Sequence, residues 1–254
     1  GLFAMAVQEA GENAANEISD GAFADGTPQP CPCFRTGELW SWVWTRDTAY
    51  AADLGLAWLE PNRTAASLRF KLSGPKGGGA LQIVQDTGTG GSWPVSTDRV
   101  VWALGAQSVL DVLDGTERAS FFAEALEAVT TTAEMDRTWA YDPEDGLYRG
   151  EQSFLDWREQ TYGSFTAGDV TSIAESKALG TNLTHWILLD AAARWSAEAG
   201  DTTAQARYRG WADDLEAAID TTFYADDSWH TLKGPPLDPS TGPRRDLLAE
   251  ALAA

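Results

Sequence analysis

The stretch LGTNLTHWILLDAAARWSAEAGDTTAQARYRGWADDLEAAIDTTF, Leu179 to Phe223, decides the fold class. Leu179, Leu183, Trp186 and Ile187 recur at helical spacing and head a long helix that Gly200 closes, glycine being the usual residue just past a helix end. Tyr208, Trp211, Leu215, Ile219 and Phe223 repeat the period, so two amphipathic helices follow one another across a turn of a few residues. Helices joined so briefly pack as an antiparallel hairpin.

Working outward from it, two further pairs precede this one. Ala49, Ala52, Leu56 and Leu59 mark a helix, and Pro61 opens a second run through Leu68 and Leu72. Trp102, Ala106, Val109, Leu110 and Leu113 mark another, which Asp114-Gly115-Thr116 breaks before Phe121, Phe122, Ala125, Leu126 and Val129 resume the period. Partial helical patterns stand at both ends of the chain. Within pairs the connections are short, whereas between pairs they span residues 18–45, 73–96 and 134–171. In stacked hairpins the short turns share one end and the long segments gather at the other, so chemistry is expected on that second face. Short strands are expected inside the long segments, around Leu81 to Val84 or at the tryptophan run. No linker is visible, and 1–254 is read as one domain, partial because the chain is read as a fragment.

The long segments carry the residues suited to chemistry. In SWVWTRDTAY, Ser41 to Tyr50, Trp42 and Trp44 continue from Trp40 at period two, which places three indoles on one face of an extended segment. Thr45 is the expected cap of the helix that follows, with Asp47 a favourable first-turn charge. Neither role accounts for Arg46, a cation at the helix end that disfavours one. An Arg46–Asp47 pair offering donors and acceptors to a neutral polyol does, since indole faces stack on sugar rings while charged groups bind the hydroxyls. The twelve tryptophans suit that ligand. Trp58, Trp186, Trp195 and Trp211, on helices, are read instead as core, and Trp44, Trp93 and Trp157 as ligand platforms.

QDTGTGGSWPVSTDR, Gln85 to Arg99, is glycine-rich but lacks Gly-Lys-Ser/Thr and the GxGxxG spacing, so nucleotide binding is set aside. Trp93, Asp98 and Arg99 are its candidate sugar contacts. SFLDWREQTY, Ser153 to Tyr162, puts Asp156 between Leu155 and Trp157, where desolvation favours the protonated acid. Glycoside hydrolysis uses such an acid to protonate the leaving oxygen and a second carboxylate across the sugar. Glu159 and Glu151 compete with Asp156, and a purely structural network with Arg149 and Arg158 is the plain alternative.

WTRD followed by a small-residue helix, Trp44 to Ala52, resembles the sugar-binding segment of glucoamylases and related six-hairpin glycosidases. GSWPVSTDR resembles their next active-face loop, and SFLDWREQTY followed by SKALGTNLTHW resembles the loop and helix that carry the general acid. The resemblance implies an all-α (α/α)6 toroid with about half of the barrel present, and an exo-acting, inverting glycoside hydrolase that releases a terminal, glucose-like sugar. It implies that Trp44, Arg46, Asp47 and Trp93 hold that sugar, with Asp98, Arg99, Glu151 and Trp157 nearby. Asp156 is the expected acid. Glucoamylases place adjacent acids directly after the loop tryptophan, whereas Trp157 here precedes Arg158 and then Glu159, so Glu159 is the alternative acid. The family's base lies in a later hairpin, and the chain is expected to be a fragment that ends before it. A sugar epimerase or polysaccharide lyase of the same barrel, or a non-catalytic carbohydrate-binding scaffold, are the competing readings. The first is disfavoured because the chain's two histidines lie outside the long segments.

A net charge of −20 repels phosphate backbones and anionic lipid, so nucleic acid and membranes are poor partners and a neutral or cationic ligand suits better. His185 and His230 have no neighbouring Cys or His, so neither a metal site nor a cofactor is expected. Cys31 and Cys33 are read as buried structural thiols, too close for a relaxed bridge. No signal peptide or spanning segment is visible, and neither compartment nor oligomeric state is encoded. The sequons at Asn62 and Asn182 are read as chance.

Overall fold

The computed structural model describes residues 1–19, 26–73, 79–84, 98–150, 170–233 and 247–253. Among them the regular structure is mostly helical, with strands of two residues each. A helix α1 (Leu2–Asn13) precedes the first hairpin, α2 (Thr45–Ala51) through α3 (Ala57–Leu59) to α4 (Pro61–Phe70). The second pair is α5 (Trp102–Val112) and α6 (Gly115–Trp139). After α7 (Val170–Glu175), the third is α8 (Leu179–Glu198) and α9 (Thr202–Phe223), followed by α10 (Leu247–Ala253). Contacts cluster into two compact units, Gly1–Gly91 with Val101–Thr131 and Ser92–Val100 with Thr132–Ala254, and α6 runs from one into the other.

In the first unit the chain after α1 forms a ribbon. β1 (Glu17–Ile18) pairs antiparallel with β2 (Gln29–Pro30), and the Ala15 and Cys33 amides exchange bonds of 2.8 and 3.0 Å with each other's carbonyls. Ile18, Cys31, Cys33, Val43 and Phe70 make a small core under it. Arg63 donates to the Ala15 carbonyl at 2.6 Å, and the Phe34 amide donates to Ser67 Oγ at 2.8 Å, which fastens the ribbon to α4. Cys31 and Cys33 are joined in a disulfide rather than left as thiols. Their Cα atoms stand 5.1 Å apart, inside the range a bridge requires and shorter than the roughly 6.6–7.2 Å that two extended residues span, so the chain bends at Pro32. The expected strand at Leu81 to Val84 reduces to a bridge between Leu72 and Ile83.

The periodicity of the first helix goes out of phase halfway. The helix kinks within Ala52–Leu56, where Gly55 leaves helical geometry at φ 158° and ψ −24°, and the remainder is rotated. Ala49, Ala52 and Ala57 are therefore the buried positions, while Leu59 is exposed. Trp58, read from sequence as core, is 73% exposed beside Leu54. Of the other helical tryptophans Trp195 is buried, and Trp186 and Trp211 are half-buried.

α5 packs against α2 and α4. A Cβ on Gly105 would meet Ala49 Cα at 2.8 Å and its carbonyl oxygen at 2.9 Å, so the absent side chain sets how closely α5 approaches α2. Trp102, fully buried, donates from Nε1 to the Leu68 carbonyl at 2.9 Å and packs on Phe121 of α6. Arg69 ties α4 to α6 through Glu124 at 2.6 Å and through Glu117.

In the second unit α8 packs along α9, and α10 packs on α8. Gly200, at φ 82°, ends α8 as expected, and Asp201 caps α9 by accepting the Ala204 amide at 2.9 Å. α6 continues to Trp139, so the third long connection starts several residues beyond the expected 134. It opens with a hairpin of β3 (Tyr141–Asp142) and β4 (Leu147–Tyr148). β5 (Lys177–Ala178) leads into α8. After α9, β6 (Tyr224–Ala225) and β7 (Ser228–Trp229) form a tight hairpin, and β8 (Leu232–Lys233) pairs with β5.

Gly105→Val is expected to lower stability by about 1–3 kcal/mol, because the clash is with backbone rather than with a side chain that can turn away. Gly210→Ala, on the exposed face of α9 with open space around it, should instead raise stability by about 0.5–1 kcal/mol. Urea unfolding of both variants checks the pair.

Candidate functional site

Two groups of residues qualify, one in each unit. In the first unit, the Gly37 and Trp40 amides and carbonyls bond reciprocally at 3.3 and 3.1 Å, the Thr36 amide donates to the Trp42 carbonyl at 2.8 Å, and the Trp44 amide donates to Thr36 Oγ1 at 3.1 Å. This loop folds the three indoles together, with centroid separations of 5.3 to 6.2 Å. Val43, between two of them, turns the other way into the ribbon core. The period-two reading thus describes which side each residue takes, although the segment is a loop closed by one bridge. Exposure is graded across the cluster, from 3% at Trp44 to 43% at Trp40, so the solvent-facing ring is Trp40.

The helix begins one residue earlier than expected. Trp44 holds the cap position, and Thr45 sits in the first turn with its hydroxyl donating to the Val84 carbonyl at 3.1 Å. Arg46 is 2% exposed. Asp47 and Thr48, with Ala51 one turn on, line a cavity of about 260 Å³ between α1, the end of the ribbon and α2. Glu9, Asn13, Arg35 and Thr36 supply its other polar groups. Arg35 is anchored by donating to the Glu12 carbonyl at 2.7 Å, where the negative end of α1 favours a cation. Adjacent helix positions point about 100° apart, and of the expected sugar contacts Asp47 alone lines this cavity.

The second group lies in the other unit. Asp98 begins a short 3-10 helix, Asp98–Val101, and Arg99 is interior, 1% exposed. Arg99 Nη2 donates to Asp136 Oδ1 at 2.7 Å, and Asp136 is wholly buried on α6. Burial pushes the Asp136 carboxyl up, but the Arg99 charge and the hydrogen bond with His185 outweigh it and hold the group below the usual carboxylate range. His185 Nδ1 lies 2.7 Å from the Thr181 carbonyl, which only accepts, so that nitrogen carries a hydrogen. Its Nε2 faces Asp136 Oδ2 at 3.2 Å. The Tyr148 ring stacks on the imidazole at 4.0 Å, and Asn182 clamps Tyr148 by accepting its amide at 2.7 Å and donating to its carbonyl at 3.1 Å. Asn182 is thus fully buried and engaged, which fits the reading of its sequon as chance.

Just beyond Tyr148 the chain reaches the segment with the expected acids. Glu151, Asp156, Trp157 and Glu159 lie outside the described residues, as does Trp93. The flanks of that segment are described and they meet: the Gly150 amide donates to the Ser176 carbonyl at 2.9 Å. Gly150 takes φ 139°, a value side-chain-bearing residues rarely adopt. Around this neck Asp142 accepts from Lys177 at 2.6 Å and from Arg149 at 2.7 Å, while Asp145 accepts from Lys177 and Lys233 at 2.6 Å each. Burial raises the Asp142 carboxyl, but Lys177, the Glu144 amide and Arg149 bring it down to about 2.

Sequence reading gave no site role to Asp136, His185, Tyr148, Asn182, Asp142 or Lys177. For Asp136 a signal existed, since it lies seven residues after Val129 on the buried stripe of α6, where a lone acid requires a partner. Among the described residues no group of three or more His, Cys, Asp or Glu is placed to hold a metal ion. No protein-family model matches the chain, and a search of curated proteins finds no match.

Arg99→Met should cost about 3–5 kcal/mol in urea unfolding, because it leaves a buried carboxylate without its cation. The Asp142 network gives a pH dependence of definite sign. A folded value below the unfolded one stabilises above about pH 4 and is lost as pH falls through about 2. Urea midpoints should therefore fall between pH 4 and 2, and Asp142→Asn should flatten part of that fall, on the order of 1–2 kcal/mol.

Proposed function

We propose that the chain belongs to an exo-acting, inverting glycoside hydrolase of the (α/α)6 toroid class and supplies about half of its barrel. The reading rests on three motifs that occur in family order, WTRD, GSWPVSTDR and SFLDWREQTY, each in a connection between helical hairpins. The observation that carries it is Asp47. This carboxylate opens onto a cavity of about 260 Å³, of a size with one sugar ring, directly after an indole cluster with one exposed ring. Asp47, Asn13, Arg35 and Thr36 offer both acceptors and donors, as the hydroxyls of a neutral sugar require. Arg46 is enclosed and does not line this cavity.

In this mechanism Asp156 protonates the departing glycosidic oxygen, and a carboxylate across the sugar activates water for single-step inversion. Glu159 is the alternative acid. Arg149, Asp142 and Lys177, at the neck of the segment, fix where that segment enters and leaves. A helical scaffold that binds sugar without hydrolysing it shares the Asp47 site but lacks the acid.

Glucose and a short α-linked oligosaccharide are the probes. Isothermal titration of the chain should show binding that Asp47→Asn weakens by about ten-fold, the loss of one charged hydrogen bond. Turnover, followed by NMR so that the released anomer is seen, should fall by about 10²–10⁴ in Asp156→Asn while binding persists. Unchanged turnover in that variant with loss in Glu159→Gln moves the acid to Glu159. Sugar binding without turnover in any protein bearing the barrel would leave the scaffold reading, and no sugar binding would end the carbohydrate reading altogether.

A further inference from the structure

A second cavity, of about 180 Å³, lies in the other unit among α8, α9, β7 and α10. Leu183, Ile219 and Leu252 line it with apolar surface, and two indoles, Trp186 from α8 and Trp229 from β7, add aromatic wall. Its charged groups are Glu216 and Asp220, one helical turn apart on the same side of α9. Both are exposed, and no Lys or Arg lines the cavity.

Trp229 is set in place with some conformational cost. The β6–β7 hairpin turns through Asp226 and Asp227, both at positive φ of 52° and 55°, which β-carbon-bearing residues adopt infrequently. The tight turn pairs Tyr224 with Trp229 across the ribbon and holds the two rings edge to face at 5.0 Å. Trp229 is thereby fixed in orientation on the first strand pair after α9, returning toward the helix that carries the carboxylates.

The balance of donors and acceptors selects the ligand. A sugar needs both, yet the lining side chains accept through two carboxylates and donate only through indole N–H groups, of which that of Trp186 is closed off from solvent. An anion is repelled by the carboxylates and by the net charge of −20. A compact organic cation satisfies all of it: aromatic faces attract the charge, apolar walls accept its methyl or methylene groups, and carboxylates at the rim neutralise it. The volume corresponds to about six water molecules, enough for an ammonium with a few carbon substituents. We propose that this cavity binds a small alkylammonium group between Trp186 and Trp229, with Glu216 and Asp220 as its counter-charges. None of the four belongs to the proposed sugar site, so the two readings stand or fall separately.

The test is isothermal titration of the whole chain with tetramethylammonium chloride, ionic strength held constant with sodium chloride, against neopentyl alcohol as a neutral molecule of the same shape. Tetramethylammonium should bind about ten-fold more tightly than the alcohol, and Trp229→Leu should weaken it by about ten-fold. Glu216→Gln with Asp220→Asn, both exposed and without a structural partner among the described residues, should do the same with unfolding behaviour unchanged. Equal binding of the alcohol, no binding of the cation, or insensitivity to the carboxylate pair would overturn the proposal. Glucose binding that the same variants abolish would also overturn it, by assigning the cavity to a sugar.

Discussion

A carboxylate removed from water stays ionised only if cations or donors surround it, and Asp136 is removed completely. Its partners come from far apart in the chain: Arg99 from the short helix before α5, and His185 from α8, with Asp136 itself near the end of α6. One buried charge therefore dictates that three separate stretches of the second unit converge. Tyr148 stacks on the same histidine, which extends the constraint to the β3–β4 hairpin and, through Asn182, back to α8. The order of the unit around the neck at Gly150 and Ser176 follows from this core.

Cations are scarce in this chain, 18 Lys and Arg against 38 Asp and Glu, so where they pair is informative. In the second unit Arg149, Lys177 and Lys233 converge on Asp142 and Asp145, beside the point where the connection carrying Asp156 leaves and returns. In the first unit Arg63 and Arg69 brace α4 against the ribbon and against α6. These pairs hold elements whose connections are long, and so limit the conformational freedom that long connections otherwise keep. A rigid frame for loops that bear indoles and acids is a requirement of positioned chemistry.

The candidate sugar site shows the same division between frame and function. Trp44 and Arg46 are enclosed, and they set the start of α2 rather than its surface. Trp40 and Asp47 face outward, the one to solvent and the other to a cavity. The sequence motif thus contains both the supports and the contacting groups. Only packing distinguishes them, because neighbouring positions of similar chemistry differ by where the helix turns them.

Much of the fold is legible from local chemistry. Helical periods, Pro61 at a helix start, Gly200 at a helix end and the break at Gly115 are properties of a few neighbouring residues, and the helices α4, α5, α8 and α9 lie where those signals place them. The phase change at Ala52–Leu56 was not legible, since the apolar period reads straight through Gly55, where the helix kinks, and with it went the exposure of Trp58. The bridge between Cys31 and Cys33 likewise depends on a backbone bend held by distant pairing with residues 13–18. By itself the sequence determined an all-α chain of helical hairpins with aromatic and charged residues collected in the long connections. Tertiary structure alone decided which of those residues face a cavity and which are buried as ion pairs, because burial and partner choice arise from contacts between residues dozens of positions apart.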